Sequence, residues 1–330
     1  MRSVIGLTLL LAACGNDLAP PGTCQVPTGA ETPVVDHVQL AGRAASYDDL
    51  RYSPELGKVL AVPLGTARIY MIDPDSLAVT THGAPGGSES VDASATTIFI
   101  IDRSNRRVVA IDAESGAMLG AQDTSGYPDY VRFVEKTSEL WVTVPGRKRI
   151  QIMSAATLAP LANVDVPGAP EGLTISSTGD TAFTQAGGRI IELDVSTRSV
   201  TGVWETGCGS SHGFPQIDEA FGLAIGGCSS NGGIGVTRMG GDKLAGFEAG
   251  GDSAILAYDS ARHHLFVRGD PGATLDILGV CSDGGTSVLG SVELSMNGHG
   301  ATVDDRGHVW VADADNGAVY RITDPFPATH

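Results

Sequence analysis

Acidic residues and histidines recur at one aligned position of a unit that repeats along the chain. Successive positions are 40 to 45 residues apart. Carboxylates crowded around a common centre raise one another's pKa or recruit a cation. Mixed oxygen and nitrogen ligands suit a divalent metal such as Ca²⁺, Mn²⁺ or Zn²⁺. The aligned residues, here called the ring positions, are Asp48, Glu89, Asp129, Glu171, His212, Ala254 and His299.

The unit that carries these positions is clearest near the end of the chain, in Gly298–Ile322. It predicts three short strands, Ala301–Asp304, His308–Ala312 and Ala318–Ile322, separated by turn-forming residues. A period of roughly 40 residues built from strands alone is typical of β-propellers. Seven copies align, so we predict an all-β, seven-bladed β-propeller; one misaligned copy would make it six or eight blades.

The last copy lacks a fourth strand, whereas Val34–Leu40 forms an apolar strand before the first copy. We expect this N-terminal strand to complete the last blade and close the ring, which removes unpaired sheet edges. The predicted propeller domain covers residues 33–330.

In a propeller the entries of the inner strands converge at the top mouth of the central channel. Four carboxylates and two imidazoles would then face one centre, and Glu171, His212 and His299 are the candidate metal ligands. Four arginines begin the third strands of the first four blades. They lie two strands away from the channel, a distance of roughly 10 Å at ~4.8 Å per strand. These are Arg68, Arg107, Arg149 and Arg189.

Three interpretations of this mouth stay open. The arginines could neutralise the ring carboxylates and leave an inert, salt-bridged mouth. They could instead line a polar pocket for an anionic or zwitterionic ligand, with or without a metal. The third interpretation is a catalytic metal site.

Several units resemble known propeller repeats. Ile98–Gly116 and Arg189–Thr197 are similar to YVTN-type repeats, and Gly298–Gly317 is similar to an NHL-type unit. Ser211-His212-Gly213, followed by Gly226-Gly227-Cys228, resembles a pattern of exported YncE-like propellers, although Ser211 stands where proline is usual. The resemblance covers roughly residues 46–325 and implies the fold more than any activity.

The leading functional expectation is a binding scaffold that takes a small molecule or a protein on its top face. The alternative is a metal-dependent lyase or lactonase-type hydrolase, because propeller enzymes of these kinds use His and Glu at such mouths. There a metal would act as a Lewis acid, with His212 or His299 as ligand or base. The sequence leaves open whether any reaction is catalysed, and it carries no signature of another cofactor.

The N-terminus predicts export. Val4–Ala13 has the length of a secretory apolar region, and Leu11-Ala12-Ala13-Cys14 resembles a bacterial lipobox. Residues 1–13 would be a lipoprotein signal peptide, Cys14 the lipidated residue and residues 14–32 a tether. An ordinary signal peptide with a chance cysteine is the alternative.

Charge and the predicted anchor define the expected surroundings. Gly15, in place of Asp, favours the outer membrane, with the domain in the periplasm or on the cell surface. The net charge of −17 disfavours nucleic acid and an anionic membrane surface as partners. Membrane contact is therefore expected only through the lipid anchor, and the chain is expected to be a monomer.

With Cys14 lipidated, four cysteines remain and allow three pairings. Propeller geometry places Cys208 and Cys228 together on the top face, and Cys24 near Cys281 at the bottom. We predict the disulfides Cys208–Cys228 and Cys24–Cys281, with free buried thiols as the alternative to the second.

Overall fold

The computed structural model describes residues 32–330. Their strands form seven four-stranded antiparallel sheets, which confirms the predicted seven-bladed all-β propeller. The signal segment, Cys14, Cys24 and nearly all of the tether lie outside the described residues. No helix in residues 32–330 is long and apolar enough to cross a membrane.

The first four blades follow one another along the chain, and each runs from its inner strand to its outer strand. In chain order the strands are β1 Val34–Gln39; β2 Leu50–Ser53, β3 Lys58–Ala61, β4 Arg68–Ile72 and β5 Val79–Gly83 in blade one; β6 Ser88–Ala93, β7 Thr97–Asp102, β8 Arg107–Asp112 and β9 Met118–Asp123 in blade two; β10 Val131–Val134, β11 Glu139–Val144, β12 Arg149–Ser154 and β13 Pro160–Asp165 in blade three; and β14 Leu173–Ile175, β15 Thr181–Ala186, β16 Arg189–Asp194 and β17 Ser199–Glu205 in blade four.

The last three blades continue the same order, and blade three carries two short 3₁₀ turns, Glu135–Thr137 and Pro145–Arg147. The remaining strands are β18 Ser211–Asp218, β19 Leu223–Cys228, β20 Gly233–Arg238 and β21 Lys243–Glu248 in blade five; β22 Ser253–Asp259, β23 His264–Asp270, β24 Thr274–Val280 and β25 Thr286–Glu293 in blade six; and β26 Ala301–Val303, β27 His308–Asp313 and β28 Ala318–Thr323 in blade seven.

Blade seven is completed by the N-terminal strand, as predicted. β1 pairs antiparallel with β28, with Val34 opposite Thr323 and Gln39 opposite Ala318. Arg321 of β28 donates from Nε to Asp36 Oδ2 of β1 at 3.0 Å. Its Nη1 donates to the Pro74 carbonyl of blade one at 2.8 Å. The closing strand is therefore tied both to its own sheet and to the next blade.

The core lies between adjacent blades. The second and third strands are buried on both faces; the side chains from Ile98 to Asp102 in β7, for example, are all buried. Outer strands such as β9 are largely exposed. Trp141 of blade three packs with Ile191 of blade four in one such cluster. This stacking of β-branched and aromatic side chains fixes the inner strands around the channel.

Candidate functional site

The ring positions converge at the top mouth of the channel, as the repeat spacing predicted. One oxygen atom from each of Asp48, Glu89 and Asp129 lies within 4.8 Å of the others. His299 Nε2 lies 3.7 Å from Asp48 Oδ1, and the rings of His212 and His299 are 4.7 Å apart and nearly perpendicular.

Glu171 and Ala254 belong to the same mouth. Glu171 interacts electrostatically with Asp129 and His299. Ala254 contributes its backbone, because its carbonyl oxygen lies 3.2 Å from His212 Nδ1. All seven aligned positions are thus brought together at the mouth.

Glycines that follow the ring positions let neighbouring strands approach. A Cβ at Gly172 would lie 2.6 Å from the Cα of Phe214. Its amide donates to the Gly213 carbonyl at 3.0 Å, which links blades four and five. Gly213 has φ +69°, a conformation that glycine adopts without strain. Gly172, after Glu171, is therefore needed for the close approach of blades four and five. Gly213, after His212, is needed for its backbone conformation.

The positively charged side chain that pairs with acids at the ring positions is Arg103, which was not predicted from the sequence. Its Nη1 donates to Glu89 Oε2 at 2.7 Å and to Asp129 Oδ1 at 2.8 Å. Arg103 directly follows β7, the second strand of blade two. Because loops between second and third strands lie on the top face, its position in the unit was an available signal.

The four predicted arginines do not reach the ring. Arg107 Nε pairs with Asp102 Oδ2 at 2.8 Å. Arg149 Nη2 lies 2.9 Å from Asp165 Oδ1, and Arg189 Nε lies 3.6 Å from Glu205 Oε1.

Arg68 is exposed at the start of β4 and has no ion pair within residues 32–330. Cross-strand geometry explains why Arg107, Arg149 and Arg189 do not reach the mouth. Asp102, Asp165 and Glu205 lie directly opposite their arginines on neighbouring strands, where side chains are much closer than the channel. The mouth therefore lacks the four cations that were expected to neutralise it or to bind an anion there.

A further acid, Asp270, completes the mouth and was also missed. It ends β23, the second strand of blade six, and its Oδ2 lies 3.1 Å from His299 Nδ1. We call this set of mouth side chains the acidic cup. It consists of Asp48, Glu89, Arg103, Asp129, Glu171, His212, Asp270 and His299.

The two histidines of the cup have opposite electrostatic surroundings. Burial favours a lower pKa for His299, but the hydrogen bond to Asp270 and the charge of Asp48 outweigh it, so the pKa is raised. Burial and the neighbouring His299 lower the pKa of His212. Because a carbonyl only accepts hydrogen bonds, Nδ1 of His212 donates to Ala254 and Nε2 carries the lone pair.

Three acids of the cup have pKa values near neutrality. Burial, together with Glu89 and Asp49, raises the pKa of Asp48 to about 6 against the opposing effect of His299. Burial and the charge of Asp48 raise that of Asp129 to about 7. Burial and Asp129 raise that of Glu171 to about 7. The protonation of these three carboxyl groups therefore changes around pH 6 to 7.

Aromatic and charged side chains form the floor of the cup. Tyr130 and Phe214 meet edge to face with ring centroids 4.6 Å apart. The guanidinium of Arg132 lies 4.3 Å from the Phe214 ring centre. Arg132 also donates to both oxygens of the fully buried Asp49, at 2.8 and 3.1 Å. The cup thus lies above a packed layer of side chains.

Blade five is fixed beside the cup by the predicted disulfide. Cys208 and Cys228 are bonded, with Cα atoms 5.1 Å apart, which confirms this pairing. Ser211 pairs with Cys228 in the β18–β19 ladder, and the register then shifts between His212 and Gln216. The pairing of Cys24 with Cys281 stays a prediction, because Cys24 lies outside the described residues.

The metal-compatible set differs from the predicted one. Within residues 32–330, the one group of three or more potential ligands close enough to share an ion is Asp48, Glu89 and Asp129. His212, His299 and Glu171 do not form such a group. Three carboxylate oxygens at this spacing fit hard cations such as Ca²⁺ or Mn²⁺, since Ca²⁺–oxygen distances are roughly 2.3–2.6 Å. Arg103 donates to two of the three.

Comparisons with known proteins support the architecture. No protein-family model matches the chain, and no curated protein matches it in sequence. Among solved structures it is similar to Kuenenia stuttgartiensis hydrazine synthase, with TM-score 0.71, 11% identity, and coverage of 88% of this chain and 98% of that one. Streptogramin B lyase gives TM-score 0.70 and 14% identity over 88% and 97%. U3-55K gives 0.73 and 12% over 88% and 98%. These likenesses show a β-propeller.

Proposed function

We propose that this protein is an exported, lipid-anchored propeller that binds a cationic ligand in the acidic cup. The observation that carries the proposal is Arg103, whose guanidinium lies between Glu89 and Asp129. The cup thus already holds one cation of its own. Asp48 and Glu171 remain as further acids with raised pKa values, so a second positive charge would be stabilised there.

The positive charge expected of the ligand follows from the positions of the arginines. With Arg68, Arg107, Arg149 and Arg189 outside the cup, five carboxylates face Arg103 and the His299 imidazole. The acidic side chains that form ion pairs in the cup keep between 10% and 24% of their surface exposed, so a ligand can approach them from solvent. The supported ligand is a divalent metal ion or the ammonium group of a small molecule or partner protein.

Proton release is the expected signature of binding. A cation favours the ionised carboxylates, so it displaces protons from acids whose pKa lies near 6 to 7. Affinity should therefore rise as pH increases from about 5.5 to 8, the range that brackets these pKa values.

Isothermal titration calorimetry with Ca²⁺, Mn²⁺ and the diamine putrescine tests the proposal and separates metal from amine. We expect saturable binding of at least one probe, a heat that changes with the buffer's ionisation enthalpy, and weaker binding in Asp48→Asn and Glu171→Gln. Glu114→Gln, an exposed acid on a bottom loop, is the matched control. Absence of saturable binding, or equal binding in all four proteins, would overturn the proposal.

A second candidate function is acid–base catalysis in the same cup, as in a lyase or lactonase-type hydrolase. The observation that favours it is His212, which has a lowered pKa and whose Nε2 carries a lone pair. Its ring centre lies 4.7 Å from that of His299. Glu171, with a pKa of about 7, can supply a proton at neutral pH. Streptogramin B lyase has a similar fold. Lactone-opening and elimination assays with His212→Gln test this function, and activity that persists in the variant excludes His212 as the base.

The expected surroundings are supported by sequence resemblance. The lipobox-like Leu11–Cys14 and the resemblance to exported YncE-like propellers favour an exported lipoprotein, and Gly15 in place of Asp favours the outer membrane. The Cys208–Cys228 disulfide suits an oxidising compartment. Metabolic labelling with a fatty acid, compared between wild type and Cys14→Ser, tests the anchor; equal labelling of both proteins would contradict it.

A further inference from the structure

A second cavity lies in the lower half of the channel, below the floor of the cup. It has a volume of about 150 Å³ and is lined by inner strands of six blades. None of the acidic-cup residues lines it. Phe214 lines both this cavity and the small space under the ring, so the two sites are separated by the Phe214 and Arg132 layer.

Hydrogen-bond donors face this cavity from one side. Arg51 donates from Nε to Asp92 Oδ1 at 3.1 Å, and no hydrogen bond within residues 32–330 engages its two terminal amino groups. Thr302 Oγ1 accepts the amide of Tyr52 at 3.2 Å, so its hydroxyl hydrogen remains available. The Nη1–Nη2 edge of a guanidinium matches a carboxylate in a bidentate pair.

An acceptor and an apolar wall complete the cavity. Gln216 Nε2 donates to the Phe214 carbonyl at 3.0 Å, which leaves its Oε1 as an acceptor. Leu50, Leu173 and Ala257 supply apolar surface. Thr174 and Tyr258 also line the cavity, but their hydroxyls already donate to the Pro215 carbonyl and to Asp218. Donors, one acceptor and an apolar wall are the groups that small-molecule sites use to orient a ligand.

We propose that this cavity is a second binding site, which takes a small hydroxycarboxylate. Its carboxylate pairs with Arg51 and Thr302, and its hydroxyl donates to Gln216. Arg51 and Tyr258 also border grooves on the bottom face, so the ligand enters from the face opposite the acidic cup. This site is independent of the proposed cation site.

The local charge balance sets the expected strength. Arg51 is already paired with Asp92, and Arg132 with Asp49. The ligand carboxylate therefore meets a neutral set of side chains, with an Arg51 side chain that is 31% exposed. We expect dissociation constants on the order of 1 mM.

Saturation-transfer difference NMR with L-lactate, acetate and glycerol on the folded propeller tests the site. Lactate should bind most tightly, and Arg51→Gln should weaken its binding by about tenfold or more, the usual effect of removing a charged hydrogen-bond donor. Arg68→Gln, which removes an exposed arginine of the same blade, is the matched control. Thr302→Val provides a second variant if Arg51→Gln fails to fold.

Three results would overturn the proposal. The first is the absence of a saturable lactate signal up to about 50 mM, which is well above the expected millimolar range. The second is equal binding of lactate by wild type and both site variants. The third is tighter binding of glycerol than of lactate. Glu171→Gln should leave lactate binding unchanged, so loss of the cation site and loss of this site are distinguishable.

Discussion

Removal of the Cys208–Cys228 disulfide should lower the free energy of unfolding of the propeller and increase local opening of the backbone at His212, at the edge of the cup. The bond spans 20 residues of sequence. The loop-closure relation for a loop of this length gives about 3 kcal/mol of stabilisation at 25 °C, mainly because the cross-link restricts the unfolded chain. We therefore expect the double variant Cys208→Ser/Cys228→Ser to lose about 3 kcal/mol in free energy of unfolding.

Equilibrium urea denaturation followed by tryptophan fluorescence measures this loss. Trp204 is a suitable reporter, because it packs against Ala224 of the disulfide-bonded blade. The double variant Cys208→Ala/Cys228→Ala is the control, because serine would place a hydroxyl group at each of these two buried positions.

The native state should change as well. The disulfide adjoins the β18 segment in which the register shifts between His212 and Gln216. Without the bond, amide hydrogen exchange at His212 should accelerate relative to blade two, which has no disulfide among its residues. A loss of less than about 1 kcal/mol, together with unchanged exchange at His212, would refute the view that the disulfide holds this edge of the cup.

Three further predictions concern the channel. Arg132→Met should lose about 3–5 kcal/mol in urea denaturation, because it leaves the buried carboxylate of Asp49 unpaired; adding Asp49→Asn should restore much of it, and no recovery would contradict this. The ligand-free protein should become less stable as pH rises from about 4 to 7, since the cup acids have raised pKa values and the folded state binds more protons than the unfolded state there. Asp129→Asn should flatten that dependence in thermal unfolding at several pH values, and an identical slope would count against the assignment. Gly172→Ala should cost about 1–3 kcal/mol, because its methyl group would overlap Phe214; unchanged thermal stability would show that the floor can shift freely.

The architecture could be predicted because its signals are local and repeated. Each blade carries alternating or buried apolar strands separated by turn residues, and the period of roughly 40 residues counts the blades. The closing role of β1 followed from a missing fourth strand after Val319–Ile322 and an unassigned strand at Val34. The convergence of Asp48, Glu89 and Asp129 followed from equal spacing, because a closed ring brings equivalent positions to one centre.

The partners of the cup could not be predicted by the same reasoning. The third-strand arginines share a register, but Arg149 and Arg189 lie directly opposite Asp165 and Glu205, which the strand-level alignment did not pair. An arginine follows the second strand in blade two only, so its position in the unit places Arg103 on the top face but no repeat marks it. An Asp ends the second strand in blades two, six and seven, yet only Asp270 pairs with His299, whereas Asp102 pairs with Arg107 and Asp313 with His37. The roles of Arg103 and Asp270 depend on how far each side chain extends across the mouth.

The sequence by itself determined the number of blades, their strand order, the Cys208–Cys228 pair and the positions that meet at the channel mouth. All of these follow from periodicity and from the symmetry of a closed ring. Only the tertiary structure decided the charge of the mouth and the presence of a separate lower cavity. Net charge at a site depends on which side chains from different blades come within a few ångströms, and a cavity depends on how Phe214 and Arg132 fill the space between them.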